Sequence, residues 1–289
     1  MIAFAALTQA RPARAQKLGP PPPPGTAPTE QGKLRFVADP ITDGAIISIS
    51  FGFAALLDAI IGTEELRPQQ PGPTSNLIAI DRAVVNDEPS TAWRRVSNVG
   101  VGIAGVYAVA DIAFTTYDEG SEAGLVDLII YSETATITWA VTNLAKVAVR
   151  RPRPFAYRAR DALLAQGVAE QDLPEITDTN AALSFFSGHA SMAAALSTTA
   201  TYLAFSRSPN PMRGIVTAGA GGIITTAVCI GRVKGGVHFP TDVVAGAMAG
   251  IGIGALVPHF HREGESKPVW VGVGPQGEDG FGLTLNGLF

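Results

Sequence analysis

Three features of the sequence predict an all-α fold, a bundle of about six core helices followed by a short C-terminal β-hairpin. First, apolar stretches at 44–62, 97–115, 124–145, 188–206, 213–231 and 240–258 alternate with polar breaks. They are too long for strands and lack period-two alternation, so they read as helices. Second, proline marks the breaks: Pro68, Pro71 and Pro73 follow the first stretch, Pro152 and Pro154 the third, Pro209 and Pro211 the fourth. Proline cannot continue a helix, having no N–H to donate and a ring that clashes with the preceding turn. Third, the tail changes period. Val269, Val271 and Val273 alternate, a turn runs from Pro275 to Gly280, and Phe281, Leu283, Leu285 and Phe289 alternate again.

Four segments follow from this pattern: a signal-like leader at 1–15, a Pro-rich spacer at 16–40, the helical domain at 41–262 and the hairpin tail at 263–289. The leader joins a short apolar run to Ala13-Arg14-Ala15, the small-x-small form of an export cleavage site, although no basic residue precedes the run. The spacer contains five consecutive prolines, Pro20 to Pro24, which favour an extended, semi-rigid chain. Together they point to an exported protein of the periplasm or cell envelope.

Composition narrows the function. Of 289 residues, 46% are hydrophobic and only 16% charged, against about 25% charged in average usage. That excludes a disordered chain, because apolar burial can offset the chain entropy. A net charge of −4 argues against a nucleic-acid partner. The single cysteine, Cys229, excludes an intrachain disulfide and any Cys-rich metal framework. Each helical stretch is near the length that spans a bilayer. Asp58, Asp111, Asp127 and Glu133 nevertheless interrupt the first three, and such charges would face solvent in a soluble bundle. The expectation is therefore a soluble or peripheral bundle, with membrane association and an integral membrane protein as the alternative.

Three clusters at the breaks carry chemistry. The segment 146–160 holds six cations (Lys146, Arg150, Arg151, Arg153, Arg158 and Arg160) and no acid, a local anion trap in an acidic chain. A helix dipole accounts for Lys146 and Arg150 but not for Arg153, which Pro152 and Pro154 keep extended. The second cluster, Ser184 to Ser191, places Ser187 as an N-cap with Gly188 and His189 just inside a new helix, whose amides attract phosphate. The third runs from Gly231-Arg232 to His238 and Asp242. Pro240 suits the first helical position, which lets Asp242 reach back to one imidazole nitrogen of His238 and leave the other to act. The remaining histidines, His259 and His261, follow the last helix and read as surface residues.

In order and spacing these clusters resemble the signature of the type 2 phosphatidic acid phosphatase and vanadium haloperoxidase superfamily: Lys-x6-Arg-Pro, Pro-Ser-Gly-His and Ser-Arg-x5-His-x3-Asp. Here they stand as Lys146 to Arg153-Pro154, Phe186-Ser187-Gly188-His189, and Gly231-Arg232 to His238 to Asp242. The resemblance covers residues 41–258 and implies an acid phosphatase/haloperoxidase-like bundle. It further implies that Lys146, Arg153, Ser187, Gly188 and Arg232 bind phosphate. His238 would attack phosphorus to form a phosphohistidine, Asp242 would orient it, and His189 would act as acid and then base. The implied function is a metal-independent phosphatase of a lipid phosphate, a small organic phosphomonoester or a diphosphate, with no metal and no cofactor. Vanadate would be a phosphate mimic in the same pocket. The alternatives are a vanadate-dependent haloperoxidase and a non-catalytic envelope protein of the same fold. Two positions depart from the signature. Phe186 replaces proline, which should loosen the turn that aims Ser187, and Gly231 replaces serine, which should delete a hydrogen bond.

Overall fold

The computed structural model describes residues 34–263 and, beyond them, the backbone of residues 269–276 and 280–287. The leader and most of the spacer lie outside the described residues. The described chain forms α1 (Pro40–Gly62), α2 (Ala79–Arg82), α3 (Thr91–Glu119), α4 (Ser121–Val149), α5 (Pro154–Ala165), α6 (Gly188–Arg207), α7 (Pro211–Lys234) and α8 (Pro240–Phe260). Two strands follow, β1 (Val269–Gln276) and β2 (Gly280–Gly287), paired antiparallel with Val269 opposite Gly287. The six apolar stretches fall in α1, α3, α4, α6, α7 and α8. The sequence reading had no counterpart for α5, a short helix that Pro154 opens after the third stretch.

Helix α6 is the centre of the bundle. Ala190, Ala193, Ala194, Ala195, Ala200 and Ala204 are all buried, and small side chains let neighbouring backbones approach. On α8, a stripe of Gly246, Gly250 and Gly254 faces α6 so closely that a Cβ would lie 2.6, 2.1 and 2.3 Å from the carbonyl oxygens of Ser187, Ser191 and Ala195. The same register shows α6 and α8 running in one direction. Paired contacts make α4 and α7 run the other way: Thr142 meets Ser191 while Thr134 meets Thr199, and Gly221 meets Ser197 while Gly214 meets Phe205. The ends of α4 and α7 and the starts of α6 and α8 therefore gather at one end of the bundle, as does the start of α3.

Two expectations need correction. Asp111, Asp127 and Glu133 face the interior, not solvent. Asp127 accepts from Arg207 at 2.5 Å and Asp111 from Arg213 at 3.0 Å, so charged pairs are enclosed within the bundle beside its apolar core. Apolar side chains correspondingly face outward, among them Ile49, Phe51, Val106, Val216, Ile223 and Met248. Helices α1, α3, α7 and α8 are each long and apolar enough to cross a membrane, with mean hydropathy of 2.1, 1.6, 1.7 and 1.7. An exposed apolar surface of this extent associates with lipid rather than water, which reverses the soluble preference. The second correction concerns the spacer. Residues 34–39 belong to the helical body: Leu34 N–H donates to the Ser206 carbonyl, Phe36 bridges to Arg262, and the Phe36 ring is buried under the Arg207 guanidinium.

Candidate active site

The gathered helix ends bring the three clusters together. Arg153 is the residue before α5, extended at φ −79° and ψ 160° as its flanking prolines require. Its guanidinium is buried and held only by neutral oxygens. Nε and one Nη donate to the carbonyl and side-chain oxygens of Asn180 at 2.8 and 2.9 Å, and the other Nη donates to the Val237 carbonyl at 3.2 Å. Burial pushes this guanidinium down to about 10, so it remains a cation at neutral pH. Lys146, on the last turn of α4, donates to Asn143, which donates in turn to Asp58. Its ammonium lies 3.8 Å from where a Cβ on Gly188 would stand, so the glycine leaves the α6 N-terminus open beside it. Arg232 approaches from the last turn of α7.

His238 sits between α7 and α8, buried, within electrostatic reach of Arg153, Arg232 and Lys146. Its Nδ1 is 2.7 Å from the Ser184 carbonyl oxygen. A carbonyl only accepts, so Nδ1 carries the proton and Nε2 keeps a lone pair. Burial, followed by the three cations, holds the imidazole well below the ordinary histidine range, so it is neutral at pH 7. The direct Asp242–His238 hydrogen bond expected from the sequence is absent, since Asp242 stands 3.9 Å from Nδ1. Instead Asp242 accepts from the Ser184 hydroxyl at 2.5 Å and from the Phe239 N–H at 2.8 Å. It thereby fixes the residue whose carbonyl orients the imidazole.

Ser187 caps α6, accepting from the Ala190 N–H at 3.4 Å. The turn ahead of it does not need the signature proline. It is pinned by backbone bonds from Ser184 N–H to the Arg151 carbonyl and from Ser187 N–H to the Asp242 carbonyl. Phe186 is buried with its ring edge-on to Phe185. Gly231 likewise has a steric reason. A Cβ there would lie 2.7 Å from the Trp93 carbonyl oxygen and 2.9 Å from Ser97 Cβ, so α3 occupies the space a serine would need.

Not all six cations of 146–160 join the cradle. Arg151 is clamped by Asp242 at 2.5 Å, Asp81 at 2.7 Å and Thr241 at 2.7 Å, with its guanidinium 4.2 Å from the Phe239 ring centre. Arg158 donates to the Asp87 carbonyl and Arg160 pairs with Glu170. Two residues beside the candidate site carry no signal in the sequence reading. Arg94, in the first turn of α3, donates to the Gly235 carbonyl at 2.7 Å and its charge bears on both Arg153 and Arg232. Asn98, one turn on, stands 3.0 Å from His189 Nε2. Neither carries a sequence signal, because an Arg and an Asn four residues apart on a helix are commonplace. Their role depends on which helix α3 packs against.

Such an arrangement can hold a tetrahedral oxyanion among fixed cations and helix-start amides, and present a neutral imidazole nitrogen to its centre. A family model described as the PAP2 superfamily matches residues 127–265, which include every candidate site residue of the sequence reading. The crystal structure of the first transmembrane PAP2 type phosphatidylglycerolphosphate phosphatase from Bacillus subtilis aligns over 76% of this chain and 95% of that one, with 20% identity and a TM-score of 0.43. No curated protein matches the sequence.

Proposed function

The chain belongs to the PAP2 superfamily, and on that footing we propose that it is a membrane-associated phosphatase that hydrolyses a lipid phosphate through a phosphohistidine, without a metal in the reaction. The observation that carries the reading is the setting of His238. Nδ1–H is committed to the Ser184 carbonyl and the imidazole is neutral, so Nε2 offers its lone pair amid Arg153, Arg232 and Lys146. Nε2 attacks phosphorus, and charge spread over the equatorial oxygens meets cations already in place. The P–O bond to the leaving group breaks as His189, protonated once the bound phosphate's charge offsets the surrounding cations, gives its proton to that oxygen. His189 then takes a proton from water, which attacks the phosphohistidine to release phosphate and restore His238. Ser187 and the Gly188 amide add hydrogen bonds to the phosphoryl oxygens.

A lipid rather than a water-soluble substrate is supported by two features. The helices that carry the site expose apolar faces of membrane-spanning length. A groove of about 280 Å³ between α7 and α8, lined by Ile230, Val233, Val243 and Val244 among others, opens beside Pro240 at the same end of the bundle. The test uses the full chain in detergent with phosphatidate, an isoprenyl diphosphate and soluble phosphomonoesters. Lipid substrates should release phosphate fastest, and rapid quenching should trap an acid-labile, base-stable phosphoenzyme that His238→Ala lacks. Failure to release phosphate from any of them identifies a non-catalytic member of the fold. A phosphoenzyme persisting in His238→Ala rules out this nucleophile.

A further inference from the structure

His261 was expected at the surface, yet it is 2% exposed. It follows α8 directly and so lies at the opposite end of the bundle from His238. Two acids from distant parts of the chain meet it there: Asp43 in the first turn of α1 and Glu133 near the middle of α4, 0% and 3% exposed. One ligand-type atom from each of the three falls within 4.8 Å of the others. His261 Nε2 is 3.4 Å from Asp43 Oδ2 and 3.8 Å from Glu133 Oε2.

The imidazole is prepared as a ligand. Nδ1 stands 2.9 Å from the Val257 carbonyl oxygen, so Nδ1 carries a proton and Nε2 is the ring atom aimed at the two carboxylates. Metal-bound histidines usually donate their other ring N–H in this way. Nε2 is buried and makes no hydrogen bond. Were it a proton shared with either acid, the separation should contract to about 2.7–2.9 Å, as in charge-assisted bonds. Two ligands about 2.0–2.2 Å from one ion, at tetrahedral or wider angles, stand about 3.3–3.8 Å apart. The observed 3.4 and 3.8 Å match that spacing. Asp43 Oδ2 also accepts the Asp39 N–H at 2.6 Å, a contact that would hold the carboxylate in place behind the ion.

We propose that Asp43, Glu133 and His261 form a structural site for a divalent metal ion, with two carboxylate oxygens and one imidazole nitrogen as protein ligands. That donor set suits zinc or manganese. The ion would cross-link the start of α1, the middle of α4 and the end of α8. Thirteen residues of α4 separate Glu133 from Lys146, which at 1.5 Å per residue is about 20 Å, so the ion takes no part in the phosphate chemistry.

The test begins with full-length protein purified in detergent, stripped by chelator and dialysed against Zn²⁺ or Mn²⁺. Elemental analysis should then find one equivalent per chain that His261→Gln does not retain, and the wild-type melting temperature should rise with the ion. Equal metal content in the two proteins, or none in the wild type, overturns the site and leaves a protonated imidazole between two carboxylates. Should His261→Gln not fold, Co²⁺-loaded wild type decides alone. Ligand-field absorption bands of a low-symmetry nitrogen–oxygen site are expected, and the spectrum of the hexa-aquo ion overturns the proposal.

Discussion

At the end of the bundle where α4 stops and α6 begins, Arg153 is buried against the neutral oxygens of Asn180 and Val237. At the opposite end, where α6 stops, Arg207 is buried against Glu119 and Asp127 at 2.6 and 2.5 Å. The two guanidiniums are alike in burial and differ in partners. Neutral acceptors satisfy the N–H groups of Arg153 and orient it without cancelling its charge, so the charge is left for an incoming anion. Carboxylates cancel the charge of Arg207, and the pair serves only to tie α3, α4 and α6 together. Arg151 shows that the contrast is local rather than a property of one end. Two residues from Arg153, it is consumed by Asp81 and Asp242 and becomes part of the frame.

The sharpest way to break this comparison is to alter the two arginines in parallel. Arg207→Met should destabilise the fold by about 3–5 kcal/mol, because it leaves Asp127 buried without its cation. Activity per folded molecule should be retained. Arg153→Lys should do the reverse, leaving the melting temperature nearly unchanged while lowering kcat/KM by about a hundred-fold, since an ammonium cannot reproduce the fork that holds two phosphoryl oxygens. Arg158→Lys, which only exchanges a donor to the Asp87 carbonyl, should change kcat/KM less than about two-fold. Melting curves in detergent and steady-state rates separate the cases. Loss of stability in Arg153→Lys together with unchanged stability in Arg207→Met would dissolve the distinction.

A smaller effect is expected from restoring the signature residue at 231. Gly231→Ser should lower stability by about 1–3 kcal/mol, because its Cβ would press on the Trp93 carbonyl and Ser97. A stabilised or more active variant would mean that α3 yields at this contact. Asn98→Ala should act on turnover instead. Without its partner at Nε2, His189 should lose orientation, and kcat/KM should fall about ten-fold for alkyl phosphates but much less for nitrophenyl phosphate, whose leaving group departs without a proton. An equal loss on both substrates would place Asn98 in the frame rather than behind the acid.

His238 also sets a pH expectation. Its folded pKa is lowered, so the neutral imidazole persists as pH falls through the usual histidine range. After correction for the substrate's own ionisation, kcat/KM on nitrophenyl phosphate, whose leaving group needs no acid, should hold steady across pH 6–7. An acid limb centred near about 6.5, the unperturbed histidine value, would mean that the cradle does not act on the imidazole.

Much of the site was legible in the chain because its residues sit at turns, where local chemistry dictates local structure. Proline on both sides forces Arg153 to be extended, Ser187 caps whatever helix follows it, and Pro240 starts one. These constraints act within a few residues and hold wherever the helices go. The six apolar stretches were legible for the same reason, since their length and proline breaks are one-dimensional properties. Which way their polar residues faced was not. Asp111, Asp127 and Glu133 would face solvent in a soluble bundle, and in a bundle with an apolar exterior the same residues turn inward.

The sequence by itself determined that helices would form, where they would start and stop, and which chemical groups stood at their ends. Only the tertiary structure decided the partners: that Asp242 reaches His238 through Ser184, that Arg94 and Asn98 join the site from α3, and that His261 meets Asp43 and Glu133. The physical reason is range. Capping, backbone dihedral limits and apolar periodicity act over one or two turns of chain, whereas burial, hydrogen-bond partnership and the charge left over for a ligand depend on groups that can stand more than two hundred residues away.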